Sequence, residues 1–260
     1  MNIVLIADGH PREWPVLGAL SRDFPETTWI HPTYAVADPE ANHQPKTVLN
    51  KQLSWWYRQF RDRVRRRMTK WKVGQAEPDF KQEITLPYFE LGREKGLQLL
   101  DDLNPDVIVA CRAPILAPEV LQKANWCGIN VHFGILPAYR GNDGLFWAAK
   151  KRDTEALGGS IHFLEDGVDT GYLIADAFPE LSGRESETMI ELKVSDVLSR
   201  TLVECLKAIE RDGQAPAGKP HPFEGRNYLA RERTFTQDLG FLAGRLVRRM
   251  PAQKERQLFY

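Results

Sequence analysis

Asn130 and His132 stand two residues apart in GINVHF, residues 128–133. The run is otherwise apolar and reads as a strand that ends before a turn carrying Pro137 and Gly141. Side chains alternate across a strand, so Asn130 and His132 share one face while Ile129, Val131 and Phe133 share the other. An amide can donate hydrogen bonds to a developing charge, and an imidazole exchanges protons near neutrality. The pair falls at the carboxyl end of its strand, where open α/β sheets form ligand crevices. Further on, Glu165-Asp166-Gly167-Val168-Asp169-Thr170-Gly171 sets three carboxylates and two glycines between two apolar runs. Taken singly, neither element is specific. A histidine in a strand is more often a satisfied structural residue, and an acidic loop is more often a solvated turn.

The elements that would position these residues follow from apolar periodicity. Asn2–Ala7 is a β-branched run closed by Asp8-Gly9 and reads as a buried strand. Pro11–Arg22 has helical spacing, and Thr27–His31 reads as a second strand, so a parallel α/β sheet is expected. No GxGxxG follows the first strand, which removes the dinucleotide fingerprint. Residues 36–50 read as loop, and the stretch from Gly74 to Pro87 breaks the pattern. Between them Leu53–Trp71 reads as one helix. Leu53, Trp56, Tyr57, Phe60, Val64, Met68 and Trp71 form its apolar stripe, and Arg58, Arg61 and Arg65 lie on another face. The stripe is expected to cover the core. Leu91–Leu103 reads as a helix, Asp106–Cys111 as a strand, Ala117–Ala124 and Leu145–Lys151 as helices, and Gly159–Leu164 and Tyr172–Phe178 as strands. Glu185–Asp212 is a long amphipathic helix, and the tail is helical around Asp238–Arg249.

Bulk properties bound the function. A chain of 260 residues suits one large domain with an extension. Lys plus Arg and Asp plus Glu both number 35, so no global bias towards nucleic acid or acidic membranes exists. Three widely spaced cysteines make no zinc or redox pattern and suit a reducing compartment. MNIVLIADGHPREW lacks the features of a signal peptide, and no run approaches the roughly 20 apolar residues that span a bilayer. A cytoplasmic protein is expected.

Together the strand and the acidic loop are far more specific. The pattern N-x-H-x-x-x-L-P-x-Y-R-G begins at Asn130, and Asp169 of D-G-x-D-T-G follows His132 by 37 residues. This pair of motifs resembles the formyltransferases that use 10-formyltetrahydrofolate, which act on glycinamide ribonucleotide, methionyl-tRNA or nucleotide-linked amino sugars. The resemblance covers residues 90–180 well and 1–35 loosely. It implies an α/β fold with a Rossmann-like, mostly parallel sheet and flanking helices. The expected layout is a catalytic core at 1–180, a basic aromatic helical insertion near 50–73, and a short helical extension at 181–260. It also implies that Asn130, His132 and Asp169 are the catalytic trio.

The chemistry suits those types. An amine attacks the formyl carbon, an oxyanion develops, and preorganised donors stabilise it. Asn130 and a protonated His132 would donate to that oxygen, and Asp169 beside His132 would raise the imidazole pKa. By resemblance the folate lies against Arg112, Ala113, Ile115 and Leu116 on one side and Glu165, Asp166, Gly167 and Val168 on the other. Phe133 and Gly134 stand where many relatives carry proline and a small hydroxyl residue. His162 matches a histidine of some relatives but suits a structural role equally, and it is left outside the site. The spacing of His132, His162 and Asp169 fits no metal motif.

The acceptor is the open part. Only some eighty residues follow the core, which argues against the barrel domain of the tRNA enzymes and against a nucleic-acid partner. The expected acceptor is therefore a nucleotide-linked amino sugar for surface polysaccharide, with an aromatic in Phe223–Tyr228 available to stack on the base. Glycinamide ribonucleotide or hydroxyornithine transfer, hydrolysis of the formyl donor, and a silent binding protein are the alternatives. The basic helix leaves peripheral membrane contact open. The oligomeric state is undetermined, a homodimer included.

Overall fold

The computed structural model describes residues 1–33, 49–73, 78–222, 225–229, 232–247 and 249–260, without the side chains of 49–55, 58, 246 and 247. The loop read at 36–50 lies outside the described residues up to residue 48, as does Phe223. In chain order the elements are β1 (Ile3–Ala7), α1 (Trp14–Asp23), β2 (Thr28–Thr33), α2 (Leu49–Val73), β3 (Gln82–Pro87), α3 (Glu94–Leu103) and β4 (Val107–Cys111). Then come α4 (Pro118–Leu121), β5 (Cys127–His132), β6 (Tyr139–Arg140), α5 (Gly144–Lys151), β7 (Gly159–Phe163) and β8 (Leu173–Phe178). The chain closes with α6 (Glu187–Asp212), β9 (Arg226–Asn227), α7 (Phe235–Val247) and β10 (Arg256–Phe259).

Eight strands form one sheet in the order β10-β8-β7-β5-β4-β1-β2-β3, and β6 pairs with β9 in a separate ribbon. Strands β3, β2, β1, β4 and β5 are mutually parallel, whereas β7, β8 and β10 pair antiparallel to their neighbours. The mostly parallel, helix-flanked sheet is thus as expected. Both faces are buried, and alternation sorts each strand between two cores. Ile3, Leu5, Val107, Val109, Ile129 and Val131 pack on the side of α1 and α6, while Val4, Ile6, Ile108 and Ile30 pack with Leu100 and Val120 on the other. Each fully buried aliphatic side chain contributes about 1.5–3 kcal/mol, which is why these central strands read so clearly as apolar runs. Ser186 caps α6, accepting from the Met189 N–H, and Gly213 ends it in left-handed conformation at φ 64°.

Besides the short ribbon of β6 and β9, two strands of the main sheet are not marked by the sequence pattern. β3 lies in the stretch taken as a break, and β10 lies in the tail taken as helical. Both are edge strands with largely exposed, polar sequences, QEITLP and RQLF, so neither carries the apolar signal of a central strand. Residues 181–260 therefore supply a strand to the main sheet as well as helices, because β10 pairs with β8.

The long basic helix is present, but turned over. Trp56, Phe60, Val64, Met68 and Trp71 are exposed rather than covering the core. Arg61 and Arg65 instead point inward, where Arg65 pairs with Glu187 at 3.1 Å and with Glu191, and Arg61 lies 3.6 Å from Asp238. The reason is the acidic surface that α6 and α7 offer. A charged partner with few waters around it favours an arginine over a tryptophan. Among the described residues no helix is long and apolar enough to cross a membrane.

Candidate active site

Strand β5 ends at His132, so Asn130 and His132 project from its carboxyl end on the face opposite Ile129 and Val131. The β7–β8 connection brings Asp169 to them. Asp169 Oδ1 lies 3.5 Å from His132 Nδ1, and the Asn130 amide donates to the same oxygen at 3.5 Å. The other oxygen, Oδ2, accepts from the Gly141 N–H at 2.8 Å. Gly141 is held at φ 86°, and a Cβ there would run into the Tyr228 backbone, so glycine is needed where this donor meets the carboxylate. Arg140 ties down the loop by donating from Nε to the Val168 carbonyl at 3.1 Å.

The proton positions follow from the partners. His132 Nε2 faces the Tyr139 carbonyl at 2.8 Å, and a carbonyl only accepts, so Nε2 carries a proton. Nδ1 then presents its lone pair towards Asp169. A Cβ on residue 134 would sit 2.6 Å from that Tyr139 carbonyl and 3.0 Å from His132 Nε2, so Gly134 makes room for the contact. His162 donates from Nδ1 to the Phe163 carbonyl at 2.8 Å, which leaves Nε2 to accept from the Asn130 amide at 2.9 Å. The sequence pattern alone does not place His162 in the site. His162 faces Asn130 because the two are register partners across β5 and β7, which alternation within one strand cannot reveal.

Burial pushes the His132 imidazole below its ordinary value, and the opposing effects of Asp169 and the Tyr139 carbonyl do not offset it. Asp169 does raise the imidazole pKa, but desolvation wins. For Asp169 itself burial raises the pKa, and His132, His162 and the Gly141 N–H outweigh it, so the carboxyl is held well below its ordinary range. The resting pair is a neutral imidazole beside a carboxylate.

These residues line a cavity of about 350 Å³. Its walls include every residue expected at the folate, namely Arg112, Ala113, Ile115, Leu116, Glu165, Asp166, Gly167 and Val168, together with Leu121, Leu164, Arg12 and Asn142. Arg112 and Asp169 both adopt left-handed backbone, at φ 52° and 53°, a strain of about 1–3 kcal/mol each that the surroundings must hold. Among the described residues no cluster of three or more His, Cys, Asp or Glu is arranged to hold a metal.

A second cleft of about 770 Å³ shares Arg12, Arg112, Ala113, Pro114, Ile115 and Asn142 with the first. Six arginines line it, Arg12, Arg61, Arg63, Arg65, Arg66 and Arg112, against the three aspartates Asp8, Asp62 and Asp143. Burial, then the charges of Arg12, Arg112, Arg66 and Arg65, drive the His10 imidazole far below its ordinary value, so His10 is neutral there. Arg12, Arg61, Arg65 and Arg112 are ion-paired with Glu191, Asp238, Glu187 and Asp8, so the charge the cleft offers to solvent rests on the exposed Arg63 and Arg66. Tyr228 is not at either opening. It is 1 % exposed and stacked between Tyr139 and Trp147, so of the aromatics expected in Phe223–Tyr228 this one offers no ring to a base, and Phe223 lies outside the described residues.

A model of the formyl transferase family matches residues 61–206, more than half of the sequence, and the chain belongs to that family. Enzymes of the family transfer a formyl group from 10-formyltetrahydrofolate. Similar curated proteins include the methionyl-tRNA formyltransferase of Chlorobium chlorochromatii, 33 % identical over 44 % of this chain and 36 % of its own length. That of Clostridioides difficile is 30 % identical over 52 % of this chain and 44 % of its own. The chain thus spans less than half the length of these relatives. A sugar N-formyltransferase from a Shewanella species superposes with a TM-score of 0.57 at 12 % identity, covering 93 % of this chain and 87 % of that one. A 4-N formyltransferase from Francisella tularensis gives 0.58 at 12 % identity, covering 93 % and 86 %. At that identity these structures share the fold.

Proposed function

We propose that the protein transfers a formyl group from 10-formyltetrahydrofolate to the primary amine of a phosphate-bearing acceptor, a nucleotide-linked amino sugar. The observation that carries the transfer reading is the convergence of Asn130, His132 and Asp169, with Asp169 Oδ1 3.5 Å from both the imidazole and the amide. The cavity fits the folate, because apolar walls at Ile115, Leu116 and Leu121 face an acidic, glycine-containing loop, a suitable bed for a flat ring edged with donors. When bound, the folate supplies an activated formyl group.

The chain's own residues do the rest. Asn130, held by His162 through one N–H, turns its other N–H from the long 3.5 Å contact with Asp169 to the oxyanion that develops on attack. His132, neutral at rest, takes at Nδ1 the proton that the amine loses, is stabilised as imidazolium by Asp169, and returns the proton to the folate nitrogen as that nitrogen's bond to the formyl carbon breaks. Asp169 is in turn held by the Gly141 N–H and does not itself need to move. The arginine cleft beside the cavity supports an acceptor carrying phosphates, since arginine pairs with phosphate oxygens in bidentate geometry.

Methionyl-tRNA is the second reading, favoured by the identity of the curated relatives and equally anionic. The test is incubation with 10-formyltetrahydrofolate and, separately, a panel of amino-sugar nucleotides and charged methionyl-tRNA, reading the mass gain of one formyl group. Formylation of an amino-sugar nucleotide is expected. Formylation of the tRNA alone replaces the acceptor, loss of formyl without any amine means hydrolysis, and no loss at all means a silent binding protein.

A further inference from the structure

We propose that the outward face of α2, with the adjoining face of α7, docks on an anionic lipid bilayer, the helix lying in the plane of the interface. This goes beyond formyl transfer and does not rest on it. On α2 the stripe Phe60, Val64 and Trp71 is exposed, Phe60 by 65 % and Trp71 by 76 %. On α7, Phe235, Leu239 and Leu242 are exposed on one helix face. The helices meet where Tyr57 donates to Asp238 at 2.6 Å and its ring meets Phe235 edge-on at 5.2 Å, so the two apolar stripes adjoin. A 25-residue helix is about 37 Å long, and among the described residues nothing covers this aromatic and aliphatic strip, which a monomer in water does not ordinarily leave bare.

Charge selects the occupant. Between Leu49 and Val73 there are nine Lys or Arg and one acidic residue, Asp62. Arg61 and Arg65 are consumed by α6 and α7, but Arg63, Arg66 and Arg67 are exposed, Arg67 beside the stripe and Arg63 and Arg66 on the flank away from α7, where they also border the arginine cleft. A second copy of the chain would bring two such cationic flanks together. A nucleic acid would leave Val64, Leu239 and Leu242 without an apolar partner. A bilayer with anionic head groups satisfies both, taking the apolar side chains at the acyl boundary and the arginines at the phosphates. Tryptophan is favoured at that depth, where one edge of the ring is apolar and the other wet. Because the inner face of α2 lines the arginine cleft, docking sets that cleft at the membrane surface.

The test is flotation of the whole chain with vesicles of phosphatidylcholine plus phosphatidylglycerol, against phosphatidylcholine alone, with tryptophan fluorescence read in parallel. Binding to the mixed vesicles, a blue-shifted emission and loss of binding at high salt are expected. The variant Phe60→Ser/Val64→Ser/Trp71→Ser should lower partitioning by at least about 100-fold while its circular dichroism and soluble formyl transfer stay unchanged. The variant Arg63→Gln/Arg67→Gln should lower it by about 30-fold. Absence of vesicle binding by the unaltered chain overturns the proposal, as does equal binding to both vesicle types. A dimer that the triple substitution dissolves, without vesicle binding, overturns it too and assigns the face to a second copy.

Discussion

The end of β5 and the helix α2 both carry polar and apolar residues in regular alternation, yet one was read with the right side inward and the other was not. On β5 the apolar side chains go to the core of α1 and α6, and Asn130 and His132 go to the cavity. On α2 the arginines go inward and the tryptophans outward. The strand sits in the middle of a sheet, where the layer beneath it is necessarily apolar. The helix sits over a surface whose character is set by Glu187, Glu191 and Asp238, residues that come from far along the chain. Periodicity finds a stripe, and the surface opposite decides which stripe is buried.

The comparison can be broken most directly at the strand. His132→Ala and Asp169→Ala should each lower kcat by about 10³ or more, read in the formyl-transfer assay with circular dichroism unchanged. Full activity in either would remove the site. Asn130→Ala should cost about 10²–10³ in kcat while folate binding, measured by fluorescence titration, persists.

At the helix the two faces should respond in opposite ways. Arg65→Leu leaves Glu187 and Glu191 short of a partner and should cost about 3–5 kcal/mol in urea denaturation. Phe60→Ser on the outer face should change stability by less than about 0.5 kcal/mol. Similar costs on the two faces would mean that the helix packs as the sequence suggested.

The pH dependence sharpens both regions. Because His132 has a lowered pKa and works as a base, kcat/KM should fall only as pH drops below the ordinary histidine range. In Asp169→Asn that acid limb should move lower still, since the carboxylate that raises the imidazole is gone. Burial raises Glu187, but Arg65 and Arg233 overcome it and hold the carboxyl near 2. Its contribution to stability should therefore be complete above 4.5 and be lost as pH falls from there towards 2, seen as a falling melting temperature.

The convergence of Asn130, His132 and Asp169 was legible because each lies in a motif of contiguous residues at an element end. His162 was not, since its partner Asn130 is set by the antiparallel register of β5 and β7. Arg12 was not, since nothing in HPREW marks one arginine as lining two clefts. The edge strands β3 and β10 were not, since half-solvated strands need little apolar sequence.

The sequence by itself determined the buried strands, the face shared by Asn130 and His132, and the acidic turn with Asp169, because short-range alternation and turn chemistry depend only on neighbours in the chain. Only the tertiary structure decided the charge state of His132, the partner of Asn130 and the inward side of α2. Desolvation and cross-strand register depend on residues tens of positions away, and ion pairing across helices on residues more than a hundred away, and no local pattern records them.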